Sequence, residues 1–186
     1  MRPSSILTLL AAATLVAACG KKPAPEQPAP QPTPTQEAPP PPPPPARNDD
    51  AERMAREAAA RAAALRTELG DLIHFDFDKA DVRTSDQGIL DRKAAILGAN
   101  TSVRLRIAGH CDERGSDEYN LALGNRRAAS AKRYLTGKGV DEGRLDVVSY
   151  GKERALDPGH SEDAWAKNRR DEFEITAGGD NLMAPK

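Results

Sequence analysis

The sequence has little of three things that would narrow its function at once: an excess of one charge, aromatic residues and cysteines. Its 186 residues carry a formal net charge of -1, so there is no basic surplus of the kind that neutralises nucleic-acid phosphates. Aromatic residues make up 4% of the chain, and much of the first third is alanine and proline. The packed core must therefore come from the remaining two thirds, and nucleic acid is not an expected partner.

The two cysteines, Cys19 and Cys111, lie in different contexts. Cys19 follows an apolar run at 6–18, which is shorter than the ~20 residues of a membrane span and is typical of a secretory signal. The segment LVAACG at 15–20 resembles a bacterial lipobox, which predicts a signal peptide at 1–18 and lipidation of Cys19; an ordinary cleavage site is the alternative. Gly20, the residue after the cysteine, favours sorting of the lipoprotein to the outer membrane, where the protein would lie on the periplasmic face. Cys111 is left as one thiol without an intramolecular partner.

Two further segments precede the globular part. Thirteen of the sixteen prolines fall between positions 23 and 45, so residues 19–50 are expected to form a disordered Pro-rich tether of extended polyproline type. Residues 51–70 predict an Ala-rich helix that Gly70 can end. Its apolar residues repeat at helical spacing and are Ala55, Ala58, Ala62, Leu65 and Leu69. The helix either is isolated, extending the spacer or lying loosely on the domain, or presents this stripe to a partner or to a second copy of itself.

Residues 71–177 have the composition of one globular domain. Ile73, Phe75 and Phe77 alternate with polar residues as in a half-buried strand, and further strands are predicted at 103–108, 145–150 and 172–176. Helical patterns lie between them, the first beginning at Thr84 with capping-box spacing to Gln87. The order βαβαβαβ predicts an α+β fold: a two-layer sandwich in which helices cover one face of a four-stranded mixed sheet. Residues 178–186 would form a flexible tail.

The stretch GHCDERGSDEYNLALGNRRA at 109–128 concentrates the reactive side chains. His110 and Cys111 are adjacent at a strand end and point to opposite faces, so they cannot readily form a nucleophilic pair. With Asp112 they are consecutive, without the offsets that let ligands converge on one metal ion. Acidic residues beside Ser116 are explained by capping and by the helix dipole rather than by carboxylate catalysis. We therefore expect neither an enzyme nor a metal site.

Once catalysis and metal binding are set aside, ligand recognition is the remaining function for the stretch at 109–128. Asp112 ends a strand, and Arg126 and Arg127 lie two to three turns into the next helix, so a folded loop could bring an anion and a cation to one cleft. Such a pair suits a zwitterionic amino-acid head group, with the carboxylate on its ammonium and the guanidinium gripping its carboxylate bidentately. A plain salt bridge between Asp112 and an arginine explains the same residues. On the residues alone the two interpretations are close to even.

Four motifs in order favour recognition: FDFDKADVR at 75–83, the stretch quoted above, SYGKE at 149–153 and AKNRRDEFEI at 166–175. Together they resemble the family of OmpA-like peptidoglycan-binding domains over about 72–175. The resemblance implies non-covalent binding of the diaminopimelate residue of the peptidoglycan stem, with Asp112 on the ammonium and Arg127 on the carboxylate. By motif position, the other peptidoglycan-binding residues would be Phe77, Asp78, Asn168 and Arg169.

Together with the lipobox and the tether, the resemblance implies an outer-membrane lipoprotein that links the membrane to the cell wall. It would do so within the Tol–Pal system, with TolB as its periplasmic partner and a part in constriction at cell division. The alternative is an OmpA-like lipoprotein of a different envelope complex, in which wall binding is secondary to protein contacts. A wall hydrolase is the enzymatic alternative. No cofactor is predicted.

Overall fold

The computed structural model describes residues 49–185. The helices are α1 (Asp49–Gly70), α2 (Thr84–Ala99), α3 (Asp117–Gly137) and α4 (Glu162–Asn168), and the strands are β1 (Ile73–His74), β2 (Arg104–His110), β3 (Leu145–Gly151) and β4 (Arg170–Ala177). The expected signal peptide at 1–18, lipidated Cys19 and most of the tether at 19–50 lie outside the described residues. Within 49–185, no helix is long and apolar enough to cross a membrane.

The strands form one mixed sheet in the order β1-β4-β2-β3. β2 and β3 are parallel and are connected through α3, whereas β4 lies between β1 and β2 and is antiparallel to both. The last strand of the chain is therefore inserted into the middle of the sheet, beside the strand that leads into the loop at 111–116. The α+β sandwich with a four-stranded mixed sheet, predicted from the sequence, is confirmed.

The core forms where alternating strand residues meet the apolar side of α3. The buried residues of this interface include Leu105, Ile107, Ala128, Ala131 and Leu135. Two glycines let the helix approach β2 closely, because a Cβ on Gly109 would lie 2.0 Å from the carbonyl oxygen of Gly124. This contact fixes the first turns of α3, and with them the preceding loop, against the end of β2.

The first half of the Ala-rich helix α1 is exposed to solvent, and the second half packs on the domain. Ala55 and Ala58 are exposed, whereas Ala62, Leu65 and Leu69 are buried where α1 packs against α2 and β4. The expectation of a helix lying loosely on the domain is therefore wrong for its second half. The exposed first half agrees with either of the two roles that the sequence left open.

A buried lysine from α2 fastens the end of α1. The Nζ of Lys93 donates to the carbonyl oxygens of Glu68 and Leu69 at 2.9 and 2.6 Å, in the last turn, where helix carbonyls lack intrahelical partners. It also lies 4.2 Å from the centre of the Phe173 ring. Burial lowers the pKa of Lys93 to about 7. The contact between α1 and the sheet is therefore sensitive to the charge of one side chain.

The first strand is shorter than its alternating pattern predicted, because it ends at His74. The chain turns over 76–79, where the amide of Lys79 donates to the carbonyl oxygen of Asp76 at 3.2 Å, and Phe77 is 55% exposed. The carbonyls of Asp76 and Lys79 also accept hydrogen bonds from the guanidinium of Arg127. Backbone groups that could have continued the strand are thus used to hold an arginine.

The start of α2 also differs from the prediction. Thr84 is its first residue and Arg83 its N-cap, with no side-chain capping bond, so the capping box to Gln87 does not form. Asp86 accepts instead from Arg83 Nε at 2.6 Å. The negative charge of Asp86 in the first turn is also favourable to the helix dipole.

The expected flexible tail is wrong for residues 178–185. The guanidinium of Arg66 in α1 donates to the carbonyl oxygens of Gly179 and Asp180 at 2.7 and 2.6 Å. The side chain of Asn100 exchanges two hydrogen bonds of 2.8 Å with the backbone of Met183, and Leu182 between these points is buried. Composition alone did not reveal this docking, because on the side of the tail it uses a single leucine and backbone groups, which bond to distant side chains.

Candidate functional site

A pocket opens where β2 runs into the loop before α3. Its volume is about 180 Å³, enough for several water molecules. The turn after β1, the loop at 111–116 and the first three turns of α3 form its walls. The lining residues are Phe77, Asp78, Cys111, Asp112, Arg114, Gly115, Tyr119, Asn120, Leu123 and Arg127. The fold thus brings together four of the six predicted site residues, which come from two segments some thirty to fifty positions apart.

The helix that forms one wall begins as the sequence predicted. Ser116 is the N-cap of α3, and its Oγ accepts a hydrogen bond from the amide of Tyr119 at 3.2 Å. Asp117 in the first turn pairs with Lys152 at 2.9 Å. Two of the acidic and hydroxyl side chains of the loop therefore have structural roles, which leaves Asp112 as the carboxylate on the pocket wall nearest to β2.

Asp112 is a buried, ionised carboxylate. Its side chain is 5% exposed and accepts hydrogen bonds from the backbone amide of Arg114, from the Arg114 guanidinium at 3.2 and 2.6 Å, and from Arg169 at 3.3 Å. Burial alone would raise the pKa of Asp112, but these hydrogen bonds hold it below its ordinary value. The carboxylate is therefore negatively charged at neutral pH.

Arg127 is fully buried behind the pocket. Its Nε donates to the carbonyl oxygen of Lys79 at 2.8 Å and its Nη2 to that of Asp76 at 3.1 Å. Its Nη1 donates to the carbonyl oxygen of His110 at 2.8 Å and to the Sγ of Cys111 at 3.4 Å. A guanidinium has five N–H groups, so the described residues use four of them. A bidentate grip on a ligand carboxylate, as predicted, would require one of these bonds to break.

The salt bridge that the sequence left open as an alternative exists, but with other arginines. Among residues 49–185, Asp112 pairs with Arg114 and Arg169 and not with Arg126 or Arg127. The sequence did contain a signal for the first of these pairs. An aspartate at the start of a loop commonly accepts a hydrogen bond from the backbone two residues on, and this turn places the Arg114 side chain over the carboxylate.

Arg114 is also held between two aromatic rings. Its guanidinium lies 4.0 Å from the centre of the Phe77 ring and 4.1 Å from that of Trp165, within the range of cation–π attraction. Its Nη1 is 3.6 Å from Glu162 in α4. Sequence reasoning did not single out Arg114, because its partners come from three separate segments.

Phe77 and Asp78 form the rim of the pocket. Asp78 has a left-handed backbone, with φ of 56°, a conformation that aspartate adopts more readily than most residues. Its carboxylate accepts a short hydrogen bond from the hydroxyl of Tyr119, and this bond raises the pKa of Tyr119. Both predicted residues of the turn after β1 therefore lie beside the pocket, with Tyr119 as a third rim residue.

The last two predicted residues do not line the pocket. Asn168 is buried, and its side chain holds the loop before α4 through the amides of Leu156 and Asp157 at 2.7 and 2.9 Å. The Nη1 of Arg169 donates to Asp112 at 3.3 Å, and its Nε donates to the carbonyl oxygen of Phe75 at 3.1 Å. Arg169 therefore positions the carboxylate, while the contacts of Asn168 are those of a structural residue.

Cys111 lines the pocket and His110 precedes it in the chain, and neither side chain is in a state suited to nucleophilic or acid–base chemistry. The imidazole of His110 is buried 5.4 Å from the Tyr150 ring, without a hydrogen-bond partner among residues 49–185, and burial lowers its pKa to about 4. Burial raises the pKa of Cys111 to about 11, so its sulfur is a thiol rather than a nucleophilic thiolate. Within 49–185 no three His, Cys, Asp or Glu side chains cluster as metal ligands do.

The chain is similar to known proteins over this domain. A family model described as the OmpA family matches residues 74–169. The peptidoglycan-associated lipoprotein of Haemophilus influenzae is 50% identical over 98 residues, which are 53% of this chain and 64% of the relative. That of Pseudomonas aeruginosa is 43% identical over 117 residues, or 63% of this chain and 65% of the relative. The chain thus spans just under two thirds of these curated relatives.

Solved structures agree with the sequence matches. The crystal structure of the peptidoglycan-associated lipoprotein from Burkholderia pseudomallei is 39% identical with a TM-score of 0.56, covering 56% of this chain and 89% of that one. The C-terminal domain of Helicobacter pylori MotB has a TM-score of 0.51 at 23% identity, covering 57% of this chain and 84% of that one, and shows a shared fold alone. The chain belongs to the OmpA family and, within it, to the peptidoglycan-associated lipoproteins.

Proposed function

We propose that this protein binds peptidoglycan non-covalently through the diaminopimelate residue of the stem peptide and so tethers the outer membrane to the cell wall. One observation carries the proposal: a buried carboxylate, Asp112, kept ionised on the wall of a pocket that has an arginine behind it. The pocket is small and opens to the surface. Its charged lining suits the end of a side chain that carries an ammonium and a carboxylate.

The proposed action is binding without chemistry. The ammonium of diaminopimelate would pair with Asp112, and its carboxylate would face the pocket arginines, with Phe77 and Asp78 closing the rim. Asn168 and Arg169 would support the site from behind. Each contact is a charge-assisted hydrogen bond worth about 1.5–3 kcal/mol, and because the pocket offers few of them, single copies would exchange readily. Many copies on one membrane would hold it to the wall together.

The envelope role rests on the sequence and on the names of the relatives. Cys19 would carry the lipid that holds the protein in the outer membrane, on its periplasmic face, and the tether at 19–50 would let the domain reach the wall. We propose that the protein serves as the Pal component of the Tol–Pal system, with TolB as its partner and a part in cell division. Failure of the full chain to capture TolB would favour a different envelope complex.

The wall-binding step can be tested by co-sedimentation of the full chain with purified peptidoglycan. Asp112→Asn keeps the shape of the side chain but removes the charge, so we expect it to raise the apparent dissociation constant for peptidoglycan at least tenfold, the loss that corresponds to one charge-assisted hydrogen bond. Asp91→Asn is the matched control, because Asp91 is a surface carboxylate that pairs with Lys138 at 2.8 Å outside the pocket. Equal sedimentation of wild type and Asp112→Asn would contradict the proposal.

A further inference from the structure

Asp171 is a carboxyl group on the face of the sheet that α3 covers. It is 0% exposed, and neither of its oxygens has a hydrogen-bond partner among residues 49–185. In the sheet it lies opposite Ile73 of β1 and Gly109 of β2, and residues opposite each other share a face. Gly109 touches α3, so Asp171 faces α3 as well, beside a residue without a side chain. A buried polar group usually has a partner, and this one is an exception.

Arg127 is the charged residue that Asp171 faces. It follows Gly124, the residue of α3 in contact with Gly109, by three positions, which places both on the same side of the helix. Burial raises the pKa of Asp171 well above its ordinary value, and the charge of Arg127 opposes this only in part. Asp171 therefore keeps its proton at pH values where an exposed aspartate has lost it.

The other ionisable groups around Asp171 are engaged elsewhere or face away. The sulfur of Cys111 accepts from Arg127, and Asp112 pairs with two other arginines. Lys93 of α2 donates to the end of α1, whose buried residues are apolar. Among residues 49–185, Arg127 is thus the cation available to Asp171. Side chains alternate along a strand, so the ionisable residues adjacent to this row point to the opposite face; they are His74 on β1, His110 on β2, and Arg170 and Glu172 on β4.

The present partners of Arg127 are all neutral. Its guanidinium donates to three backbone carbonyls, two of them in the turn at 76–79, and to a thiol. A bond to an ionised carboxylate is roughly twice as strong as a bond between neutral groups, and an ionised carboxylate left without a partner in the core is strongly unfavourable. Loss of the proton from Asp171 would therefore draw the guanidinium away from the turn.

We propose that Asp171 and Arg127 form a pH-sensitive switch behind the pocket. While Asp171 carries its proton, Arg127 holds the turn at 76–79 and keeps Phe77 and Asp78 at the rim. When Asp171 releases the proton to solvent, Arg127 pairs with the carboxylate and the turn loses its anchor. The inference rests on the proposed function, because the rim belongs to the proposed binding pocket. Affinity for the stem peptide should therefore fall as the pH rises through the titration of Asp171.

The switch itself can be followed by nuclear magnetic resonance of the full chain, labelled with ¹³C and ¹⁵N, between pH 5 and 8.5. The carboxyl ¹³C shift of Asp171 gives the pH at which the proton is lost. The amides of Phe77 and Lys79 should shift with the same midpoint, because the carbonyls of the turn lose the guanidinium. Asp171→Asn has the shape of the protonated acid and cannot ionise, so this transition of the turn amides should be absent from it.

The effect on binding is measured by calorimetric titration of the full chain with the tripeptide L-Ala–γ-D-Glu–meso-diaminopimelate across the same pH range. We expect the wild-type dissociation constant to rise about tenfold across the transition, the factor for one hydrogen bond. Asp171→Asn should bind throughout as the protonated wild type does. Glu174→Gln is the matched control and should follow the wild type, because Glu174 lies on the same strand but is exposed and pairs with Arg106 at 3.2 Å.

The outcomes distinguish a failure of the switch from a failure of the proposed function. If Asp171 does not titrate between pH 5 and 8.5, or titrates while the turn amides and the dissociation constant stay unchanged, the switch is wrong and wall binding stands. A pH dependence that Asp171→Asn retains would also overturn it. If the wild type binds no tripeptide at any pH, the proposed function fails. The midpoints of the carboxyl and the turn amides, which need no variant, then decide alone whether the switch exists.

Discussion

Replacement of Arg127 by alanine should destabilise the domain as well as weaken ligand binding. The guanidinium joins three segments, because it donates to the carbonyls of Asp76 and Lys79 in the turn after β1 and to that of His110 at the end of β2. An exposed arginine on a helix would contribute little to stability. This one is a buried cross-link between the turn and the sheet.

The size of the effect follows from the three carbonyls. An acceptor left without a partner inside a protein costs about 1–3 kcal/mol. The carbonyl of His110 accepts at a buried site, whereas those of Asp76 and Lys79 accept at partly buried ones that water can reach after the change. Removal of a buried cation offsets part of the loss. We therefore expect the free energy of unfolding to fall by about 2–5 kcal/mol, a large part of the 5–15 kcal/mol typical of a domain.

The assay is urea unfolding followed by circular dichroism, with Arg133→Ala as the matched control. Arg133 lies on the exposed side of the same helix, so its replacement should change the free energy of unfolding by less than about 0.5 kcal/mol. An Arg127→Ala variant that is as stable as the wild type but fails to bind the stem peptide would refute this reasoning. Arg127 would then be a ligand residue and not a structural one.

Two further predictions concern the frame around the site and can be tested by the same unfolding measurement. Gly109→Ala should lower the free energy of unfolding by about 3 kcal/mol, because its Cβ would collide with the carbonyl of Gly124; Gly88→Ala, in an exposed turn of α2 with open space around it, should raise it by about 0.5–1 kcal/mol. Equal effects of the two would contradict the close contact of α3 and β2. The second concerns Lys93, whose pKa of about 7 in the folded domain lies below its ordinary value of 10.5. Between pH 7 and 9 the unfolded chain keeps a proton that the folded chain has released, so stability should rise with pH by about 1 kcal/mol per unit. Lys93→Met should flatten this rise, and an unchanged slope would show that another group causes it.

Periodicity was sufficient to predict the sheet and the helices that flank the site. The alternation of Leu105 and Ile107 with arginines and the three-and-four spacing on α3 reflect burial on one side, which is a local property of the sequence. The same reasoning failed for the first strand. Phe77 continues the alternating pattern, but the carbonyls on either side of it are taken by Arg127, and a contact over fifty positions leaves no trace in a local pattern.

Some of the residues that the motifs assigned to the site are brought together at one pocket by the fold. Asp112, Phe77 and Asp78 were assigned by their motifs, and all three line the pocket. Arg127 also lines the pocket, but its burial was not foreseen, because an arginine on a helix usually faces solvent. Arg114 was missed because the sequence cannot show that Phe77 and Trp165 meet on either side of it.

Nuclear magnetic resonance tests the central claim most directly. The full chain, labelled with ¹⁵N, would be titrated with the diaminopimelate tripeptide while amide chemical shifts are followed. Binding at the pocket predicts saturable shifts at the turn 76–79 and the loop 111–116, with little change along α1 and the docked tail at 178–185. Absence of shifts at a saturating excess of peptide, or saturable shifts confined to residues away from the pocket, would contradict the claim that this pocket is where the protein holds the cell wall.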